Sequence, residues 1–203
     1  MTAPGDRDAG AELLLASASP RRAALLTTLG VRFRTAPAEL DETPLRGEAP
    51  AAYVARLALA KARAVARLTG TRLPVLGADT TVSCGDRLFG KPGSEAEAVA
   101  MLGALSGRTH QVCTAVALVR GERAARAVVT SAVTFRRLSA AECRAYWRSG
   151  EPADKAGGYA LQGLGGAFVT RIEGSCSAVV GLPLAETYTL LREFDVATGL
   201  TDA

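Results

Sequence analysis

Two strand-like runs, 112–119 and 127–135, meet at Gly121-Glu122, and this pair constrains the fold more than any other feature. Runs rich in Val, Ala and Thr around a Gly-polar break read as a hairpin of two long strands. The rest of the chain mixes helix-patterned and strand-patterned segments without strict βαβ alternation. The expected class is therefore α/β with a central mixed sheet.

The other elements follow from local signals. Residues 13–16 (Leu-Leu-Leu-Ala) suit a buried strand. Ser19-Pro20 reads as an N-cap and first helical position, opening a helix that ends at Gly30. Residues 31–35 alternate like a strand. Residues 51–68 form a long helix with Tyr53, Leu57, Ala60 and Ala64 on one stripe. Residues 74–82 are a buried-strand candidate closing on Ala78-Asp79-Thr80-Thr81. Ser94 with Glu97, and Ser139 with Glu142, open capped helices over 94–105 and 139–148. A glycine-rich loop at 157–166 leads into a strand over 168–172, and 183–194 is a closing helix. One domain is expected over 12–196, with tails at 1–11 and 197–203.

Bulk properties exclude several classes. At 203 residues with 48% hydrophobic and 22% charged residues, the chain can bury a core of its own. Its apolar stretches are broken well short of the roughly 18 residues that span a bilayer. Asp6, Arg7 and Asp8 leave the first segment without the apolar centre of a secretory signal. No membrane partner and a cytoplasmic location are expected. Cys84, Cys113, Cys143 and Cys176 are scattered with no C-x-x-C pair, so they read as small buried hydrophobes rather than disulfides or a zinc site. The net charge of +4 suits an anionic small molecule, and with only 5% aromatics a stable nucleic-acid partner is not expected. Of the 24 basic residues only Lys61, Lys91 and Lys155 are lysines, marking three places where a compact point charge is wanted.

Some residues sit where plain folding does not require them. Arg21 and Arg22, after Ser17-Ala18-Ser19-Pro20, place positive charge in a first helical turn whose dipole is already positive. A phosphate there would resolve the conflict; the plainer alternative is two arginines in water. Asp79 ends an apolar strand, where a carboxylate must be paired, hydrogen-bonded or metal-bound, or else caps the next turn. Asp41-Glu42 adds carboxylates in a loop and by itself reads as exposed. Lys61, at the border of the helical stripe, reads as snorkelling to solvent, and Lys91 as the tip of the tight turn Gly90-Lys91-Pro92-Gly93. Gln162, in Gln162-Gly163-Leu164-Gly165-Gly166, carries the donor and acceptor that a base edge needs; a hairpin with a polar side chain is the alternative. The glycines would permit close backbone approach.

Other chemistries fit less well. There is no G-x-x-x-x-G-K-[ST] loop and no G-x-S-x-G elbow. His110 is the only histidine, and in a strand it would face away from Cys113.

Taken in order, Ser17-x-Ser19-Pro20-Arg21-Arg22, Lys61-Ala62-Arg63, Gly77-Ala78-Asp79-Thr80, Gly90-Lys91-Pro92, Ser106-Gly107-x-Thr109-His110 and Asp154-Lys155-Ala156-Gly157-x-Tyr159-Ala160-x-Gln162-Gly163 resemble the Maf family of nucleoside triphosphate pyrophosphatases. The likeness runs from about residue 13 to 194. Gln162 to Gly166 and Glu173-Gly174-Ser175 resemble the branch acting on dTTP and UTP. The resemblance implies two lobes around a deep cleft, as in inosine triphosphate pyrophosphatases, and a homodimer. It implies Asp79 and Glu42 as catalytic acids holding Mg²⁺ or Mn²⁺. It further implies substrate binding by Ser17, Arg21, Arg22, Lys61, Thr80, Lys91 and Gln162, with Arg21, Thr80 and Gln162 linked to substrate choice. A role in excluding non-standard nucleotides or in cell-division arrest comes with the family. The alternatives are a sister specificity for 7-methyl-GTP or CTP, and a non-catalytic nucleotide-binding regulator of cell division.

Overall fold

The expected hairpin is present and longer than its apolar core suggested. In the computed structural model, which describes residues 10–200, Thr109–Arg120 (β5) and Arg123–Phe135 (β6) turn at Gly121, whose φ is +59°. The tails at 1–9 and 201–203 lie outside the described residues. Strands Leu13–Leu15 (β1), Phe33–Thr35 (β2), Val75–Cys84 (β3), Arg87–Phe89 (β4) and Val169–Glu173 (β7) complete a seven-stranded sheet. Its order is β2-β1-β3-β5-β6-β7, with β4 on β3. β1 is parallel to β2 and β3, whereas β3–β4 and β6–β7 are antiparallel, so the sheet is mixed. The helices are Pro20–Thr28 (α1), Pro50–Thr69 (α2), Glu95–Leu105 (α3), Ala140–Arg148 (α4), Cys176–Val180 (α5) and Leu184–Glu193 (α6). Among the described residues no helix is long and apolar enough to cross a membrane.

The described chain divides into two compact units, one of residues 10–79, 114–128 and 181–200, the other of 80–113 and 129–180. In the first unit Leu14, Val75 and Val119 from the strands, with Ala16 just after β1, cluster with Ala62 and Val65 of α2. The helix buries Val54, Leu57, Ala58, Lys61, Ala62 and Val65, so the expected stripe of Tyr53, Leu57, Ala60 and Ala64 is rotated. An alanine-rich helix offers several stripes of similar hydrophobicity, and the sheet takes the one with Val54 and Val65. Residues 198 and 199 return to the end of α1, where Gly199 N–H donates to Leu29 O at 2.8 Å.

In the second unit Val82, Phe89, Leu102, Leu105, Val112, Phe135, Cys143, Tyr146, Tyr159 and Phe168 form the core. Ser94 Oγ accepts from Glu97 N–H, and Ser139 with Glu142 closes a full capping box, as the pattern predicts. Ser19 differs: it holds the N-cap position of α1 but makes no side-chain cap bond. β2 starts at Phe33 rather than at 31, and β4 and α5 are too short to have left a periodic signal. Cys113 and Cys143 are buried as expected, but Cys84 is half-buried and Cys176 exposed.

Candidate active site

Helix α2 and strand β3 place an ammonium against a carboxylate. Gly77 and Asp79 are two residues apart on β3 and share one face. A Cβ on Gly77 would lie 2.2 Å from Ala58 O and 2.8 Å from Ala62 N, so only glycine lets the helix backbone come this close. At that separation Lys61, near the middle of the buried face of α2, reaches Asp79 Oδ1 at 2.7 Å. The side chains of Lys61 and Asp79 keep only 9% and 8% exposure. Lys61 therefore does not snorkel. Asp79 is mid-strand rather than at a strand end, because the β-branched Thr80-Thr81-Val82 continues β3 to Cys84.

Glu42 completes the cluster from the loop before α2. Its Oε1 accepts from Lys61 Nζ at 2.6 Å, and its side chain stays 43% exposed. Two residues of α2 hold this loop. Tyr53 Oη donates to Glu42 O at 2.9 Å, and Arg56 forks onto Glu48 at 2.7 and 2.6 Å while reaching Thr43 O at 3.3 Å. Asp41 turns back to accept from Thr43 N–H at 2.9 Å. Of the two adjacent acids, only Glu42 thus joins the cluster.

Burial raises the Asp79 carboxyl above its ordinary value, Lys61 and Arg22 pull it down, and Glu42 pushes it up again. Burial likewise lowers the Arg22 guanidinium against the support of Asp79 and Glu42. Arg22 Nε donates to Gly181 O at 2.9 Å and one of its terminal nitrogens makes a long 3.4 Å contact to Ser17 Oγ. Buried Ser17 also accepts from Ser19 N–H at 3.1 Å. The first turn of α1 contains no acid, and the Arg22 charge is supported instead by Asp79 and Glu42 from outside the helix. The first unit therefore gathers Ser17, Arg22, Glu42, Lys61 and Asp79 around one partly open anionic-cationic cluster, with half-buried Arg21 next to Arg22 on α1.

The two carboxylates converge on one cationic atom, Lys61 Nζ. Among the described residues no group of three or more His, Cys, Asp or Glu could form a metal cage. Two hard oxygen donors suit an ion such as Mg²⁺, which keeps waters and takes its remaining ligands from phosphate. Asp79 and Glu42 fit that requirement.

Thr80, Lys91 and Gln162 belong to the second unit. Thr80 is half-buried on β3, whereas Lys91 and Gln162 are exposed. The turn carrying Lys91 is tied down by Gly157 N–H donating to Gly90 O at 3.0 Å. The third lysine, Lys155, bonds Glu151 O at 2.7 Å and pairs with Asp154. The glycines around Gln162 serve the protein's own groups: a Cβ on Gly163 would meet Glu151 Oε2 at 2.2 Å, and one on Gly165 would meet Tyr146 Oη at 2.5 Å. Sequence reasoning missed Tyr53, Arg56, Tyr146 and Glu151. Gly77 stood within a quoted motif, but its steric duty left no separate signal.

Residues 12–194 match the Maf-like protein family. The chain belongs to the Maf family. A dTTP/UTP pyrophosphatase of Saccharophagus degradans is 52% identical over 192 residues, 93% of this chain and 91% of its own. One of Myxococcus xanthus is 56% identical over 183 residues, covering 89% of this chain and 91% of its own. Among solved structures, a dITP/XTP pyrophosphatase from Mycobacterium abscessus aligns at TM-score 0.48 and 20% identity, over 89% of this chain and 96% of its own. That likeness is too distant to carry an argument about the site.

Proposed function

We propose that this Maf protein hydrolyses dTTP and UTP to the nucleoside monophosphate and pyrophosphate. The observation that carries the reading is the near full-length identity above 50% to relatives named for that activity. The cluster of Asp79, Lys61 and Glu42 supports it chemically.

Water attacks the α-phosphorus, the bond to the α–β bridging oxygen breaks, and pyrophosphate leaves with that oxygen. Asp79 orients the water and accepts its proton. Arg21, Arg22, Lys61 and Lys91 hold the triphosphate and stabilise charge on the departing pyrophosphate, and the Ser17 hydroxyl helps to hold Arg22 in place. Mg²⁺ or Mn²⁺ held through Asp79 and Glu42 would neutralise phosphate charge. Gln162, with Thr80 and Arg21, sets substrate choice, its amide matching the O4 acceptor and N3–H donor of uracil or thymine. The protein acts as a cytoplasmic homodimer that limits non-standard nucleotides.

The test is pyrophosphate release from dTTP, UTP, CTP and 7-methyl-GTP with and without Mg²⁺ or Mn²⁺. Fastest turnover of dTTP and UTP, dependent on the divalent ion, is expected. Preference for CTP or 7-methyl-GTP would move the protein to a sister specificity, and binding without turnover would make it a regulator.

A further inference from the structure

The turn bearing Gln162 is anchored on both sides by two side chains outside the motif. Glu151 Oε2 accepts from Leu164 N–H at 3.0 Å, and its Oε1 accepts from Gly165 N–H at 3.1 Å. That same Oε1 accepts from Tyr146 Oη at 2.6 Å. Tyr146 Oη in turn accepts from Ala160 N–H at 3.0 Å. Backbone donors at 160, 164 and 165 thus bracket Gln162 and converge on one carboxylate–phenol pair. Gly163 and Gly165 are glycine because that pair occupies the space of their side chains. The anchor is itself fixed. The Tyr146 ring packs edge-on against Phe168 at 4.9 Å, and Lys155 grips Glu151 O. Both carboxylate oxygens face donors, so an amide at 151 would oppose at least one N–H or O–H with its own NH₂.

We propose that Glu151, acting with Tyr146, is a positioning residue for pyrimidine selection: it fixes the turn from which Gln162 reads the base. This rests on the reading of Gln162 as the base-reading residue. Gln162 is exposed, so its aim depends on its backbone rather than on packing of its own side chain. A polar contact set by geometry discriminates only while that geometry holds.

The experiment is steady-state kinetics of wild type, Glu151→Gln, Tyr146→Phe, Gln162→Ala and the Glu151→Gln/Gln162→Ala double variant with dTTP, UTP, CTP and GTP. Glu151→Gln should raise KM for dTTP and UTP on the order of tenfold, leave kcat within about threefold, and narrow the UTP-to-CTP ratio of kcat/KM. Tyr146→Phe should move the same quantities less. Adding Glu151→Gln to Gln162→Ala should cost no further discrimination, because both changes act through one contact. The proposal is overturned if Gln162→Ala narrows the ratio while Glu151→Gln lowers all four substrates alike or changes nothing. A ratio unmoved by Gln162→Ala removes the base-reading role itself, and the positioning role with it. Should Glu151→Gln fail to fold, Tyr146→Phe decides by the same ratio.

Discussion

Each unit contains a buried polar pair, and the two pairs handle burial in opposite ways. In the first, Lys61 and Asp79 meet as an ammonium and a carboxylate, joined on the more open side by Glu42. In the second, His110 Nε2 and Tyr159 Oη share a 2.8 Å hydrogen bond, closed in by Phe135, whose ring stands edge-on to both at 4.8 and 4.7 Å. Burial favours the neutral form in each place, raising Asp79 and lowering His110 to about 4. Only Asp79 has cations beside it that support its charge. The His110 pair needs none, because a neutral imidazole and a phenol share a hydrogen bond without either carrying charge. A buried charge costs several kcal/mol unless it is paired, and the proposed hydrolysis gives a reason to retain one through two carboxylates and several cations. The neutral pair, equally buried, is architecture.

The comparison breaks most sharply at Asp79. Asp79→Asn preserves size and a bond to Lys61 but removes the charge, and it should lower kcat on dTTP about a thousandfold, read as pyrophosphate release. A variant keeping more than about a tenth of the wild-type rate would make the charged pair structural too. Next in size is Gly77→Ala. The added methyl would strike the α2 backbone, which cannot swing aside as a side-chain tip can. Unfolding free energy should fall by about 3 kcal/mol in urea melts, and the rate should drop with it as Lys61 is drawn back from Asp79. Unchanged stability would mean that the helix approach is soft and does not set the pair.

How far the two pairs could be read beforehand follows from how each leaves a trace in sequence. Asp79 stood out as a carboxylate in an apolar run, which is a local signal. Its mid-strand position is hidden because Thr80-Thr81 looks in sequence like the end of a strand it in fact extends. Lys61 was misjudged for a related reason. The buried face of α2 steps through Val54, Leu57, Ala58, Lys61, Ala62 and Val65 at helical spacing, yet so many alanines blur the stripe that a neighbouring register looked equally good. Glu42 was recoverable only through family likeness, since its role depends on Tyr53 and Arg56 folding the loop back. The mixed sheet, the hairpin and the Ser94 and Ser139 caps were legible because each is written within a few residues. The Glu151 anchor was not, because its partners are backbone N–H groups 13 and 14 residues away and backbone donors look the same in every sequence.

The smallest effect probes the neutral pair. His110 is 1% exposed, and among the described residues its Nδ1 has no hydrogen-bond partner. A neutral ring is tolerable there, whereas an uncompensated imidazolium among Phe135 and Tyr159 is not, so burial lowers the folded imidazole to about 4. Unfolded, the ring binds its proton near the ordinary value of 6.5. The unfolded state thus binds more protons between these values. The associated stability is fully present above about pH 6.5 and is lost as pH falls toward 4. Between pH 7 and pH 5 this single group should account for about 2 kcal/mol of the decline. His110→Gln, which can still bond the Tyr159 hydroxyl but does not titrate, should remove that part of the slope in urea melts across this range, where carboxylates held near 2 such as Glu142 remain ionised. If the slope survives the substitution, His110 is already protonated in the fold, and the contrast between a charged working pair and a neutral structural one fails.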